Sequence, residues 1–154
     1  MRLLWGFADF GRAMHRQMRF GELSRAPLRL LRLEWRGDIA ECDWLARPAD
    51  EWDQNVPQEV SDGHVSEQAL RDAIAMREAL FYALPGVYTA SLRAFRESAG
   101  GARDLIITGT AIRGEKAPGN VTSTAMRAKL LGFQFWFADG VLESLRPEEC
   151  AMSL

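Results

Sequence analysis

The stretch Leu31-Arg32-Leu33-Glu34-Trp35-Arg36-Gly37-Asp38-Ile39-Ala40-Glu41-Cys42-Asp43-Trp44 decides the fold class. Before the glycine, Leu31, Leu33 and Trp35 alternate with Arg32, Glu34 and Arg36. Beyond Asp38, the set Ala40, Cys42, Trp44 and Ala46 keeps the same period of two, which is that of a strand with one buried face. Gly37-Asp38, with Gly first, suits a two-residue hairpin turn. The turn pairs Arg36 with Ile39 and sets Trp35 opposite Ala40, Leu33 opposite Cys42 and Leu31 opposite Trp44, which makes one continuous apolar face. Arg36-Gly37-Asp38 also spells an adhesion tripeptide, but the turn accounts for it.

Toward the N-terminus the period changes. Leu3, Phe7, Phe10, Met14 and Met18 recur at steps of three and four, with Arg12, Arg16 and Arg19 off that line, so an amphipathic helix is expected over 3–19, docked on the protein's own sheet. Asp9 and Arg12 interrupt the start before a signal-peptide core develops, and no apolar run approaches the length of a membrane span. Toward the C-terminus, residues 47–65 read as a loop with Trp52 as its anchor. Ser66 is expected to cap a helix reaching Leu84, with Ala69, Ala73, Met76, Leu80 and Ala83 on one stripe and Pro85-Gly86 as its stop.

The final third reads as a meander. Val87 to Glu97 and Leu105 to Ile112 are strands joined at Gly100-Gly101, and Gly109 marks a bulge or a close backbone approach. Val121 to Phe137 carries two signals. Val121, Thr122 and Thr124 favour a long strand with a bulge near Gly132, and that reading is taken; Ala125 to Leu131 also has good helix propensity. Asp139-Gly140 is a type I′ turn that folds Val141 to Leu145 back onto Phe133 to Ala138. The expectation is a single α+β domain over 1–154, with a mostly antiparallel sheet of five to six strands and two helices packed mainly on one face.

Charge is unevenly spread. Residues 1–36 hold eight Arg against three acids, and residues 37–83 hold three Arg against eleven acids, a split expected to be satisfied within the fold or between copies of it. Cys42 and Cys150 are too few for a disulfide framework, so a reduced, cytoplasmic setting is the simplest reading.

The residues that would announce chemistry are missing. There is no phosphate loop, dinucleotide fingerprint, serine elbow or H-E-x-x-H. With only His15 and His64, a metal site would have to gather His64, Cys42, Cys150 and carboxylates from four distant segments, so no metal or cofactor is expected. A nucleophilic Cys42 would need His64 beside it. Asp43, Asp139 and Glu143 are the carboxylates near the apolar strands, but Asp139 serves its turn and the other two alternate outward, which leaves the catalytic residues unknown. The concentrated feature is Phe133, Phe135, Trp136 and Phe137, in which Trp136 points away from the three Phe rings. A helix or another strand is the expected cover for Trp136, with a subunit interface or a ligand pocket as the sharper readings. Arg127 and Lys129, just before it, complete this candidate interface or pocket, and read first as a solvated edge.

The element order and the run Phe133-x-Phe135-x-Phe137-x-Asp139-Gly140 resemble the layout of the nuclear-transport-factor-like superfamily, in which helices back a curved antiparallel sheet. That fold serves enzymes and binding modules alike and does not choose between them. The missing signatures, the charge split and the surplus of aromatics favour a non-enzymatic binding or assembly module acting as a homo-oligomer, with room for a small-molecule ligand. Nucleic acid and membrane are not expected partners. The competing reading is a small-molecule lyase, isomerase or hydrolase with a pocket between sheet and helices.

Overall fold

The computed structural model describes residues 28–49, 55–98 and 100–145. The helix expected over 3–19, together with Trp52 and Cys150, lies outside them. Strands β1 (Arg29–Arg36) and β2 (Ile39–Leu45) form the expected hairpin, with Gly37 at φ +63° in the turn. Arg36, Trp35 and Leu33 face Ile39, Ala40 and Cys42, but Leu30 rather than Leu31 faces Trp44. The register shifts between Leu30 and Arg32, so Leu31 is an extra residue in a bulge. The bulge returns Leu30 to the covered side, where it and Leu28 pack against the core.

Helix α1 (Gln58–Ala83) begins eight residues before the expected cap. Pro57 stands at its start, where a missing N–H costs nothing, and its carbonyl accepts from Val60 and Ser61 at 3.0 and 3.1 Å. Ser66 is therefore inside the helix and buried, and its Oγ accepts from the backbone N–H of Leu142 at 2.9 Å. The residue that reads as a cap is instead a tie between the helix and the distant C-terminal hairpin. The helix stops at Pro85-Gly86, as its sequence demands.

Strands β3 (Thr89–Glu97) and β4 (Arg103–Ile112) follow. Because α1 carries the chain back across the sheet, β3 lies parallel to β2, while β1/β2 and β3/β4 are antiparallel. Ala94 faces Ile107 and Phe95 faces Leu105, so Ile106 is extra, and the run Leu105-Ile106-Ile107 reflects this bulge as well as a central position.

The segment expected to continue as a long strand does not. Residues Thr124–Leu130 form helix α2, where Ser123 Oγ accepts from the Met126 N–H at 3.3 Å. The cap and the run Ala125-Met126-Arg127-Ala128-Lys129-Leu130 outweigh the β-branched residues before them. Gly132, at φ +98°, then ends the helix. The apolar run beyond it divides into β5 (Phe133–Gln134), which joins the edge of β4, and β6 (Trp136–Ala138), which pairs with β7 (Val141–Glu143). Asp139 and Gly140 both have positive φ, as a type I′ turn requires.

The result is an α+β fold with a five-stranded mixed sheet in the order β1-β2-β3-β4-β5, mostly antiparallel with one parallel pair, and a separate two-stranded hairpin. The core lies between α1 and one sheet face. Trp44, Leu70, Met76, Leu80, Leu92 and Ile107 fill it, and Ala40, Ala90, Ala94 and Ala111 let the helix approach. Among the described residues no helix is long and apolar enough to cross a membrane.

Gly109 marks a close approach rather than a bulge. A Cβ placed there would stand 2.6 Å from the Gly132 carbonyl oxygen, and one placed on Gly132 would collide with the Thr110 carbonyl oxygen. Gly132→Ala should therefore cost about 2 kcal/mol or more, from left-handed backbone strain plus the displaced carbonyl. Urea unfolding measures this, and a loss under about 0.5 kcal/mol, the usual spread of neutral substitutions, would contradict the close contact.

Candidate binding site on the open face of the sheet

The residues that alternate away from the core line up across strands. Arg32, Asp43, Arg93, Thr108 and Gln134 are register partners in turn, one from each of the five strands, and Glu34, Glu41, Ser91 and Thr110 form the next rung. The face opposite α1 is thus polar through its middle. It is bordered by Leu45, Phe95 and Leu105 at one end and by Ile39, Thr89 and Ile112 toward the other.

Asp43 is the hub. Only 6% of it is exposed, because guanidinium groups close over it from both neighbouring strands. Arg93 donates through Nε to Oδ1 at 2.8 Å and through Nη2 to Oδ2 at 2.6 Å, a fork-to-fork pair. Arg32 adds Nε to Oδ2 at 3.2 Å, and its Nη1 donates to Glu34 at 2.9 Å and Glu41 at 3.0 Å. The hydrogen bond to Asp43 is the main cause that raises the pKa of both arginines above their ordinary value. Both oxygens of the carboxylate are engaged, so it is poorly placed to accept a substrate proton.

These groups line a cleft of about 460 Å³. Gly109 and Gly132 also line it, and beside them Thr108 is half-buried and Thr110 exposed. The hydroxyls of Ser91, Thr108 and Thr110 and the Nη1 of Arg93 hold no hydrogen bond among the described residues. A surface with free donors, free acceptors and a fixed charge network is equipped to hold a polar molecule in one orientation.

The residues singled out in the sequence are dispersed. Phe133 and Phe135 are buried at 3% and 7% exposure, whereas Trp136 is 57% exposed and Phe137 38%. Among the described residues no helix or further strand covers Trp136: the short pairing of β6 with β7 leaves its outward side exposed. Phe137 meets Phe135 edge-on at 5.4 Å, and Lys129 Nζ lies 5.5 Å from the Phe135 ring centre. Arg127 and Lys129 are exposed on α2. Cys42 is fully buried on the covered face, where desolvation pushes its thiol pKa far up, which disfavours the thiolate a nucleophile needs. Among the described residues no group of three His, Cys, Asp or Glu is arranged to hold a metal ion.

Sequence reading missed the Asp43 network, although its signal is present. Arg32, Glu34, Glu41, Asp43, Ser91, Arg93, Thr108 and Thr110 all occupy off-core positions of their strands. What the alternation does not give is that β2 and β3 are neighbours, and without that Asp43 and Arg93 do not meet.

Fold and site together define an α+β protein in which, among the described residues, a helix covers one sheet face and a charged, hydroxyl-lined face is left open. No family model, curated protein or solved structure matches the chain. The layout likeness to the nuclear-transport-factor-like superfamily therefore carries no further weight, and the division of Phe133 to Phe137 between two sheets departs from it.

Proposed function

We propose that this protein is a non-enzymatic binding module whose ligand surface is the open polar face of its sheet. The observation that carries the reading is the engagement of Asp43 by Arg32 and Arg93, which turns the one well-buried carboxylate of the cleft into scaffold and leaves donors and hydroxyls around it for a ligand. The competing reading, a small-molecule lyase, isomerase or hydrolase, calls for a pocket between sheet and helices. Trp44, Leu70, Met76, Leu80 and Leu92 occupy that space, which weighs against it. The module is further proposed to act as a homo-oligomer in the cytoplasm. Exposed Trp136 and Phe137 supply an apolar contact between copies, and the buried Cys42 suits a reducing compartment.

Thermal-shift measurement against a panel of polar small molecules tests the binding part. A hit should raise the melting temperature of the parent protein and lose that effect in Arg93→Met. Hits that stabilise parent and variant equally would place binding elsewhere. For assembly, light scattering on a sizing column at tens of micromolar should give a mass above 17.3 kDa that falls in Trp136→Ser. A strictly monomeric parent would overturn the oligomer.

A further inference from the structure

The charges of the cleft sum to zero and alternate along one chain of ion pairs, Glu41–Arg32–Asp43–Arg93, so its two ends differ in sign: negative at Glu41 and positive at Arg93. Arg32 and Arg93 balance Glu41 and Asp43, so a free anion or cation gains little net attraction on entering. Arg93 sits in one rung and Glu41 in the next, on adjacent strands, which separates them by roughly 7–8 Å at the backbone. After Asp43 is held, Arg93 keeps Nη1, and its register partner across on β4 is Thr108. Arg32 takes only Oε2 of Glu41, so the other oxygen of that carboxylate remains open. Glu34, on the far side of Arg32, adds a further negative charge at the Glu41 end. A molecule positive at one end and negative at the other is therefore favoured at both ends, where a singly charged one is favoured at one and opposed at the other.

A second hollow of about 520 Å³, lined by Glu34, Trp35, Arg36, Ile39 and Glu41, adjoins the cleft and shares Glu41 with it. Ile39 is exposed there, an apolar surface next to the acidic end.

On the reading that the open face is the ligand surface, we propose that its ligand is a small zwitterion of the amino-acid or dipeptide class with an apolar side chain. Its carboxylate lies on Arg93 and Thr108, its ammonium on Glu41, and its side chain against Ile39.

Titration calorimetry with Leu-Gly, N-acetyl-Leu-Gly, Leu-Gly amide and free leucine tests the assignment and separates the two sources of the chemistry. The free dipeptide or the free amino acid should bind, and each blocked form should bind at least about tenfold more weakly, the loss expected when one charge-assisted contact is removed. Thr108→Val and Glu41→Gln, both on the surface, should weaken the unblocked ligand by about tenfold each, and Glu41→Gln should spare the amide-to-acid ratio because it acts at the other end. Equal binding of blocked and unblocked forms overturns the zwitterion while the cleft remains a ligand surface. Absence of binding by all four, with other polar molecules still acting through Arg93, likewise overturns the zwitterion alone. Absence of binding by every compound of both sets overturns the ligand-surface reading with it.

Discussion

Arg47→Met should destabilise the protein by about 3–5 kcal/mol at pH 8, and most of that loss should disappear by pH 5. Arg47 leaves β2 directly into the space beside α1, where its Nε stands 2.9 Å from Asp72 Oδ2, and both side chains are almost wholly buried. Gln68 Nε2 donates to the other carboxylate oxygen at 2.9 Å. Burial is the dominant influence on Asp72 and raises its pKa to about 6; Arg47 and Gln68 pull it down, but not enough to cancel. The folded-state value is thus above the ordinary carboxylate value of 3.8. Folding accordingly takes up a proton between roughly pH 4 and 6, and this group's contribution to stability is greatest below that window and is lost as pH rises through about 6. Removing Arg47 strands a buried carboxylate and raises its pKa further, so the penalty is full at pH 8 and shrinks once Asp72 is protonated. Urea unfolding at both pH values reads the effect. An equal loss at pH 5 and pH 8 would mean that Arg47 contributes packing and not charge.

Arg113→Met should cost about 3 kcal/mol, some 6–12 °C in melting temperature for a chain of this size. Helix α1 carries no basic residue in its last turn. Arg113, just beyond β4, supplies the missing charge: Nη2 donates to the carbonyls of Phe81 and Leu84 at 2.9 and 2.8 Å, and Nε donates to Val87 at 2.7 Å. The same guanidinium lies 4.8 Å from the Phe81 ring centre, with Arg77 at 5.3 Å from that ring. One planar fork thus serves the Phe81 and Leu84 carbonyls at the helix end and the Val87 carbonyl just beyond it, with the Val87 N–H sharing the Leu84 carbonyl at 3.0 Å. Lysine cannot reproduce the fork, so Arg113→Lys should recover less than half of the loss. Full recovery by lysine would show that charge at the helix end, not the directed hydrogen bonds, is what Arg113 provides.

Where local chemistry decides, the chain was readable. Gly37-Asp38 and Asp139-Gly140 make the turns their sequences demand, Pro85-Gly86 ends α1, and the alternation of Ala40, Cys42 and Trp44 finds the covered face. Where two local signals compete, or where distant segments meet, it was not. Thr124 to Leu130 forms a helix because a serine cap and helix-forming side chains outweigh β-branching upstream. Ser66 reads as a cap because its partner, the Leu142 N–H, comes from a hairpin formed much later in the chain. The charge split is partly resolved within the fold, since Arg32 of the basic stretch pairs with Glu41 and Asp43 of the acidic one. The Asp43–Arg93 pair depends on the parallel placement of β2 and β3, which only the crossover of α1 sets.

The central claim is that the open polar face, and not the helix-covered side, meets the ligand. Chemical-shift mapping on labelled protein tests it most directly, using any compound that raises the melting temperature. The account predicts shifts concentrated at Ser91, Arg93, Thr108 and Thr110, with Trp44 and Leu92 undisturbed and the compound chemically unchanged. Shifts centred on Trp44 and Leu92, accompanied by conversion of the compound, would contradict it.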